Sequence, residues 1–138
     1  MWQTVLNWPW QSIWAAATFV AAVFAIALWN RQDKLKAKMA FKTAISNYAW
    51  QLSLMPEIIS FETTRHLPEH FIKDLCSSFF VCMNAWSVSE GIMDSNKKVK
   101  KSWDFILSNH NKALSGELET SVLIKECKVI MDEKFVFK

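Results

Sequence analysis

The sequence predicts an all-α fold, in which a single N-terminal transmembrane helix continues into a small cytoplasmic bundle of about four helices. Three observations support this fold class. Residues 13–29 read IWAAATFVAAVFAIALW, without a charge, a glycine or a proline. Apolar residues recur at helical spacing through the rest of the chain. The 138 residues include only two glycines and three prolines, which leaves little room for the tight turns of hairpins and barrels.

The uncharged segment has the length and the flanking residues of a membrane span. Counted from Trp8, it rises roughly 33 Å as a helix, against a hydrocarbon core of about 30 Å. Indole rings favour the interface between lipid and water. The predicted interface tryptophans are Trp8, Trp10 and Trp14 at one end and Trp29 at the other. Pro9 suits the first turn of a helix, where its missing N–H costs nothing. The alternative is the buried core helix of a soluble protein.

Charge predicts the orientation of this span. No charged side chain precedes it, whereas several basic residues follow it directly, offset only by Asp33. These basic residues are Arg31, Lys34, Lys36, Lys38 and Lys42. The positive-inside rule then places the N-terminus outside and the C-terminal domain in the cytoplasm, with Arg31 and Lys34 at the membrane interface. We therefore divide the chain into an external tail with its span, residues 1–30, and a cytoplasmic domain, residues 31–138.

Small residues in the span support two further interpretations. Ala17, Ala21 and Ala25 recur every four residues on one face, where small side chains let two helix backbones approach closely. They predict self-association or pairing with the span of a partner membrane protein, although alanine is common in any span. Ala25-Ile26-Ala27 also has the form of a signal-peptide cleavage site, but no basic region precedes the apolar segment.

The cytoplasmic domain begins with a predicted helix over residues 31–55, which Pro56 ends or kinks. Its apolar stripe consists of Phe41, Ile45, Tyr48, Leu52 and Met55. A short helical turn and a connector follow in residues 57–67. The second helix is predicted over residues 68–90, with Gly91 as its stop. It has two apolar stripes, which together indicate a central core helix. The stripes are Phe71, Leu75, Phe79, Cys82 and Trp86, and beside them Ile72, Cys76, Phe80 and Met83.

Two more helices complete the predicted bundle. Asp94 or Ser95 caps the third helix, which ends at Gly116. Its inner side consists of Val99, Trp103, Ile106, His110 and Leu114. The fourth helix is predicted over residues 117–133, although the β-branched residues in 121–124 leave a strand as the alternative.

The sequence contains no recognisable reaction chemistry. The three cysteines, Cys76, Cys82 and Cys127, fit a reducing compartment rather than a disulfide framework. His66, His70, Cys76 and Cys82 are the candidate metal ligands, but Pro68 separates the histidines and no metal motif is present. A pairing of Cys76 with His110 is the candidate nucleophile and base. Nucleophile elbows and glycine-rich phosphate loops are both absent. We expect no catalytic residue, metal or cofactor.

One charged cluster stands out in the predicted third helix. Four of five consecutive residues are lysines, namely Lys97, Lys98, Lys100 and Lys101. Cations are unfavourable near a helix N-terminus, which argues for an anionic lipid or partner beside them, although a solvated helix face is the simpler interpretation. Antiparallel packing of successive helices would return this run to the headgroups, together with Phe135 and Phe137. Nucleic acid is the weaker option, since no aromatic platform accompanies the lysines.

These features predict a membrane-anchored, non-enzymatic interaction or assembly module at the cytoplasmic membrane face. Its expected partners are the lipid bilayer and either a second copy or another membrane protein. One alternative is a small membrane-acting effector, of the phage exclusion or defence type, whose assembled spans disturb the bilayer. The other alternative is a membrane-surface enzyme acting on lipid. Both alternatives rest on general features of the sequence and not on a particular site.

Overall fold

The computed structural model describes residues 3–135 and contains five α-helices and no strand within that range. The helices are α1 (Gln3–Ser53), α2 (Phe61–Thr64), α3 (Glu69–Met93), α4 (Lys97–Leu114) and α5 (Thr120–Asp132). The predicted fold class is confirmed: an all-α chain with one long apolar helix at its N-terminus and a small helical bundle after it. The strand alternative for residues 121–124 is wrong, because these residues lie inside α5.

The chain divides into two compact units, residues 1–34 and residues 35–138. The first unit is the N-terminal part of α1, in which every side chain from Pro9 to Lys34 is exposed. Because α1 begins at Gln3, Pro9 lies inside the helix and not in its first turn as predicted. Proline lacks the N–H that would bond to the carbonyl four residues earlier, so one backbone hydrogen bond is missing at this point.

The second unit has a core of its own, formed by the remainder of α1 together with α3, α4 and α5. The predicted stripe on α1 is confirmed, since Phe41, Ile45 and Tyr48 are fully buried. Phe41 packs against the rings of Trp86 and Trp103, with ring centroids 5.1 and 5.4 Å away. Edge-to-face and tilted contacts of this kind stabilise a core beyond the apolar area that they bury.

Helix α3 buries most of one apolar stripe but only part of the other. Leu75, Phe79 and Cys82 are buried, whereas Phe80 is 59% exposed and Cys76 is also exposed. The expectation of a broad buried surface is therefore half right. Periodicity identifies the apolar positions of a helix, but which of them are covered depends on the neighbouring helices.

Two predicted helix boundaries are wrong. Helix α3 continues through Gly91 to Met93, and Asn96 caps α4 in place of Asp94 or Ser95. The Asn96 side-chain oxygen accepts a hydrogen bond of 3.2 Å from the backbone N–H of Val99. Asparagine is as good a cap as aspartate or serine, so composition alone did not distinguish the three positions.

The turn between α4 and α5 packs against the connector that follows α1. Gly116 has a φ of +81°, and a Cβ at this position would lie 2.7 Å from the carbonyl oxygen of Ile59. The backbone N–H of Thr120 donates to the Glu57 carbonyl at 2.9 Å, and the Thr120 hydroxyl donates to the Pro56 carbonyl. These contacts fix one end of the bundle.

Candidate membrane anchor and lysine surfaces

Among residues 3–135, α1 is the single helix long and apolar enough to cross a membrane. Its large apolar side chains are exposed, including Phe19 at 71% and Phe24 at 65%. The predicted packing residues Ala17, Ala21 and Ala25 are exposed as well. Their spacing of four residues places them along one face of the helix.

The two hydroxyl groups between Pro9 and Trp29 bond to carbonyls of the same helix. The Thr18 hydroxyl donates to the Trp14 carbonyl at 2.8 Å, and the Ser12 hydroxyl donates to the Pro9 carbonyl at 2.9 Å. A hydroxyl bonded to its own helix does not need water, so it is compatible with a surrounding of lipid.

The predicted interface residues flank the apolar stretch. Trp10, Trp14 and Trp29 are 62%, 69% and 70% exposed. The Trp29 indole N–H donates to the Asp33 carboxylate at 2.8 Å. Asp33 is the one acid among the basic residues that follow the stretch, and its carboxylate accepts this bond.

Of the other predicted interface residues, Arg31 and Lys34 are exposed. Trp8 belongs to α1, but its side chain lies outside the described part of the chain.

The lysine run does not form one uniform face. Lys98 forms an ion pair of 3.9 Å with Glu133, and Lys100 forms one of 3.7 Å with Asp94. Lys97 instead lines a groove, and Lys101 is exposed on α4. The buried side of this first turn belongs to Val99.

The groove beside Lys97 brings together lysines from distant parts of the sequence. Its volume is about 460 Å³, and we call it the lysine groove. It is lined by Lys38, Ile92, Met93, Ser95, Asn96, Lys97, Lys134 and Phe135. The ammonium groups of Lys38 and Lys42 lie 6.0 and 5.7 Å from the centroid of the Phe135 ring.

Phe135 is half-buried and packs against the core. The expectation that Phe135 dips into the membrane interface stays a prediction, since part of its ring remains exposed. Phe137, the other residue of that expectation, lies outside the described residues.

A buried polar pair crosses the core between α1 and α4. The Tyr48 hydroxyl lies 2.7 Å from Nδ1 of His110, and the Phe79 ring stacks on the imidazole with centroids 3.7 Å apart. Burial lowers the pKa of His110 to about 4 and raises the pKa of Tyr48. Both groups are therefore neutral near pH 7. The Nδ1 atom of His110 is bonded to Tyr48, and Cys76, its candidate partner, is exposed on α3.

The candidate metal ligands and the thiols differ in burial, since some of them lie in the core and others on the surface. Burial raises the pKa of the Cys82 thiol to about 12, and that of Cys127 also to about 12, whereas Cys76 is exposed. His66 and His70 are exposed. Within residues 3–135, no three His, Cys, Asp or Glu side chains lie close enough together to hold a metal ion.

A second cavity, of about 330 Å³, lies between α1 and α3. Trp50, Gln51 and Val81 are among the residues that line it. The side-chain oxygen of Gln51 is buried without a hydrogen-bond partner, and Trp50 is 65% exposed. Asp74, Ser77 and Ser78 also line this cavity, and the Ser78 hydroxyl donates to the Leu75 carbonyl at 2.8 Å.

Sequence reasoning missed the lysine groove and the pair of Tyr48 with His110. Lys42 donates to the Glu133 carbonyl across 91 positions, and Tyr48 and His110 are separated by 62. No local motif indicates contacts at such separations. Models of known protein families, curated proteins and solved structures were compared with the chain, and none of them matches it.

Proposed function

We propose that this chain is a single-pass membrane protein whose helical bundle is a non-enzymatic interaction or assembly module at the cytoplasmic membrane face. The observation that carries the proposal is the contrast between the two units. Residues 9–34 expose every side chain, most of them apolar up to residue 29, whereas the bundle closes its own core. Monomeric soluble proteins rarely expose so large an apolar surface, and a bilayer would cover it.

The proposed orientation has the N-terminus outside and the bundle in the cytoplasm. The basic residues that begin at Arg31 support it, because positive charge is retained on the cytoplasmic side. Three thiols without a disulfide agree with a reducing compartment.

An interaction role for the bundle is supported by its exposed apolar side chains. Phe80, Val81 and Val88 are 59%, 51% and 75% exposed, and their spacing places them on one face of α3. Large apolar side chains that share an exposed face are typical of contact surfaces. We propose self-association through Ala17, Ala21 and Ala25, or pairing of this face with another span, as the basis of assembly.

The test of this proposal measures membrane insertion and orientation together. Full-length chain should remain in membranes after alkaline carbonate washing. A reporter that is active only outside the membrane should give no signal when fused to Lys138 and a strong signal when fused to Met1. Complete release by carbonate would overturn the anchor, and external activity at Lys138 would overturn the orientation. Leakage of dye from vesicles that contain the full chain would favour the membrane-acting effector instead.

The lysine run is proposed as a second contact with anionic lipid. Lys97, Lys98, Lys100 and Lys101 are all exposed, and lysines near an anionic surface contribute about 1 kcal/mol each at low salt. In mixed membranes, full-length chain with all four changed to Gln should enrich anionic lipid less than the parent does, and salt should reduce the difference. Equal enrichment by both proteins would show that the run is an ordinary solvated face.

A further inference from the structure

The lysine groove combines positive charge from three separate elements. Lys38 comes from α1, Lys97 from the first turn of α4, and Lys134 from the segment after α5. Lys38 is half-buried, and the other two lysines are exposed. Like charges held around one cavity repel each other, and this repulsion is relieved when an anion enters.

The Phe135 ring helps to position two lysine side chains beside the groove. Lys38 and Lys42 both lie against its ring, and the Lys42 ammonium also donates to the Glu133 carbonyl at 3.2 Å. A cation over an aromatic face is attracted by the ring quadrupole, which favours this arrangement of the two lysine side chains. The positive wall of the groove is therefore partly pre-organised.

Asp94 and Glu133 adjoin lining residues in the sequence, and their carboxylates are engaged by other groups. Glu133 accepts a hydrogen bond of 3.1 Å from the Asn96 side-chain amide and pairs with Lys98, and Asp94 pairs with Lys100. Within residues 3–135, these two ion pairs are the ones shorter than 4 Å, and neither includes a lysine that lines the groove. The groove therefore keeps a net positive charge.

The start of α4 adds to this field. Its first turn contains no acidic residue, and Asn96 caps only the N–H of Val99. The positive end of the helix dipole consequently lies next to Lys97, in the same groove. An anion in the groove would interact favourably with the helix end and with the three lysines.

The chemistry of the lining selects the class of anion. Lysine acts as a point charge with rotatable donors, and three of them suit a group with several oxygens and up to two negative charges, which is a phosphate. A carboxylate has one charge and two oxygens, so it balances fewer of these lysines. Ile92, Met93 and Phe135 supply an apolar wall beside the charges. A volume of about 460 Å³ lies within the usual range for small-molecule sites.

We infer that the lysine groove binds one phosphate group carried on a small apolar body. The source of that phosphate is either the headgroup of an anionic phospholipid or a soluble phosphate ester. This inference goes beyond the membrane role proposed above and does not depend on it, because it concerns the bundle alone. It also predicts saturable binding of one ligand, which differs from the diffuse attraction between a lysine run and a charged surface.

The test is calorimetric titration of the full-length chain in an uncharged maltoside detergent. The probes are short-chain dihexanoyl phosphatidic acid and phenyl phosphate, a soluble ester with an apolar body, with dihexanoyl phosphatidylcholine as the zwitterionic control. We expect each chain to bind one molecule of a phosphate probe saturably. We expect no binding of the phosphatidylcholine control. Comparable affinity for both phosphate probes would identify a soluble ester as the source, and binding of the lipid probe alone would identify a phospholipid.

Two groove variants and two matched variants complete the test. Lys38→Gln and Lys134→Gln should each weaken binding about tenfold, the usual effect of losing one charge-assisted hydrogen bond. Lys125→Gln and Lys128→Gln remove the same charge from exposed positions on α5 and should leave the affinity unchanged. The exposed position of Lys134 makes its variant informative even if Lys38→Gln perturbs folding.

The inference is overturned if neither phosphate probe binds, or if the α5 variants weaken binding as much as the groove variants do. These results would leave the anchor untouched, because carbonate washing and the reporter fusions do not depend on the groove. Conversely, a chain released by carbonate would still bind the probe through its bundle. The two proposals therefore fail separately.

Discussion

The hydroxyl of Tyr48 and Nδ1 of His110 lie 2.7 Å apart, and this hydrogen bond joins α1 to α4 inside a mostly apolar core. Tyr48 is fully buried, and His110 is 4% exposed. A buried polar group is costly unless it has a partner, so each of these side chains depends on the other. The hydrogen bond of the pair also fixes how the two helices are aligned. Apolar contacts are less directional and constrain the alignment less.

Tyr48→Phe should therefore destabilise the bundle by about 1–3 kcal/mol, because it leaves the imidazole nitrogen buried without its partner. The measurement is urea unfolding of the full chain in detergent, followed by the near-ultraviolet circular dichroism of the core aromatic residues. The double variant Tyr48→Phe with His110→Leu removes both polar groups and should cost less than the sum of the single variants. Additive costs would contradict a direct interaction of the pair.

The stability of the bundle should fall in mildly acidic solution. Burial lowers the pKa of His110 to about 4, whereas an unfolded histidine titrates near 6.5. The unfolded chain thus binds a proton at pH values where the folded chain does not. Stability from this group is complete above pH 6.5, is lost as the pH falls to about 4, and amounts to about 3 kcal/mol at most.

The measurement compares unfolding free energies between neutral pH and pH 4 for the parent and two variants. His110→Gln should flatten the dependence between pH about 6.5 and 4. His66→Gln removes an exposed histidine outside the core and should keep the dependence of the parent. If the unfolding free energy of His110→Gln changes with pH as it does in the parent, groups other than His110 cause the loss of stability.

The two glycines should respond in opposite ways to alanine. Gly116→Ala should cost more than about 1 kcal/mol, because the left-handed conformation disfavours a side chain. The new Cβ would also lie 2.7 Å from the Ile59 carbonyl oxygen. Gly91→Ala should stabilise the chain by about 0.5–1 kcal/mol, because Gly91 lies inside α3. A Cβ there meets no atom within 4 Å. Thermal unfolding measures both effects, and a stabilised Gly116→Ala would contradict the observed turn.

One of the three thiols should react much faster than the other two. Cys76 is exposed, whereas Cys82 and Cys127 are fully buried with pKa values raised to about 12. Thiolate is the reactive form, so burial slows labelling through both access and charge. Mass spectrometry of the native chain treated with a charged maleimide should show one rapid addition. Unfolding in urea should expose the other two thiols and allow two further additions. Cys76→Ser should remove the rapid addition, and rapid labelling of that variant would contradict the buried sites.

Association of the span should depend on its alanine face. Ala21→Ile should weaken association in a membrane two-hybrid assay of the full chain, because the branched side chain keeps the backbones apart. Val23→Ile changes a position nearly opposite on the helix and is the matched control. Equal effects of the two substitutions would exclude the alanine face as the contact.

Local patterns were sufficient for the class of fold. The apolar stripe of Phe41, Ile45 and Tyr48 and the helical nature of the chain follow from residue spacing, and the structure has both. Helix ends were less accurate, since Asn96, Asp94 and Ser95 are all good caps and only one of them is used. The buried part of α3 was overestimated, because spacing does not reveal which apolar stripe a neighbour covers.

Spacing along the chain thus identified the long apolar helix, the helical bundle and most of the buried stripes, because these depend on hydrophobic period and on residues within a few positions of each other. Tertiary packing produced the features that bear on binding. Lys38, Lys97 and Lys134 line one groove only because α1, α4 and the segment after α5 meet there. The partner of His110 is likewise 62 residues away. Contacts over such separations depend on how helices pack, and helical periodicity contains no information about that arrangement.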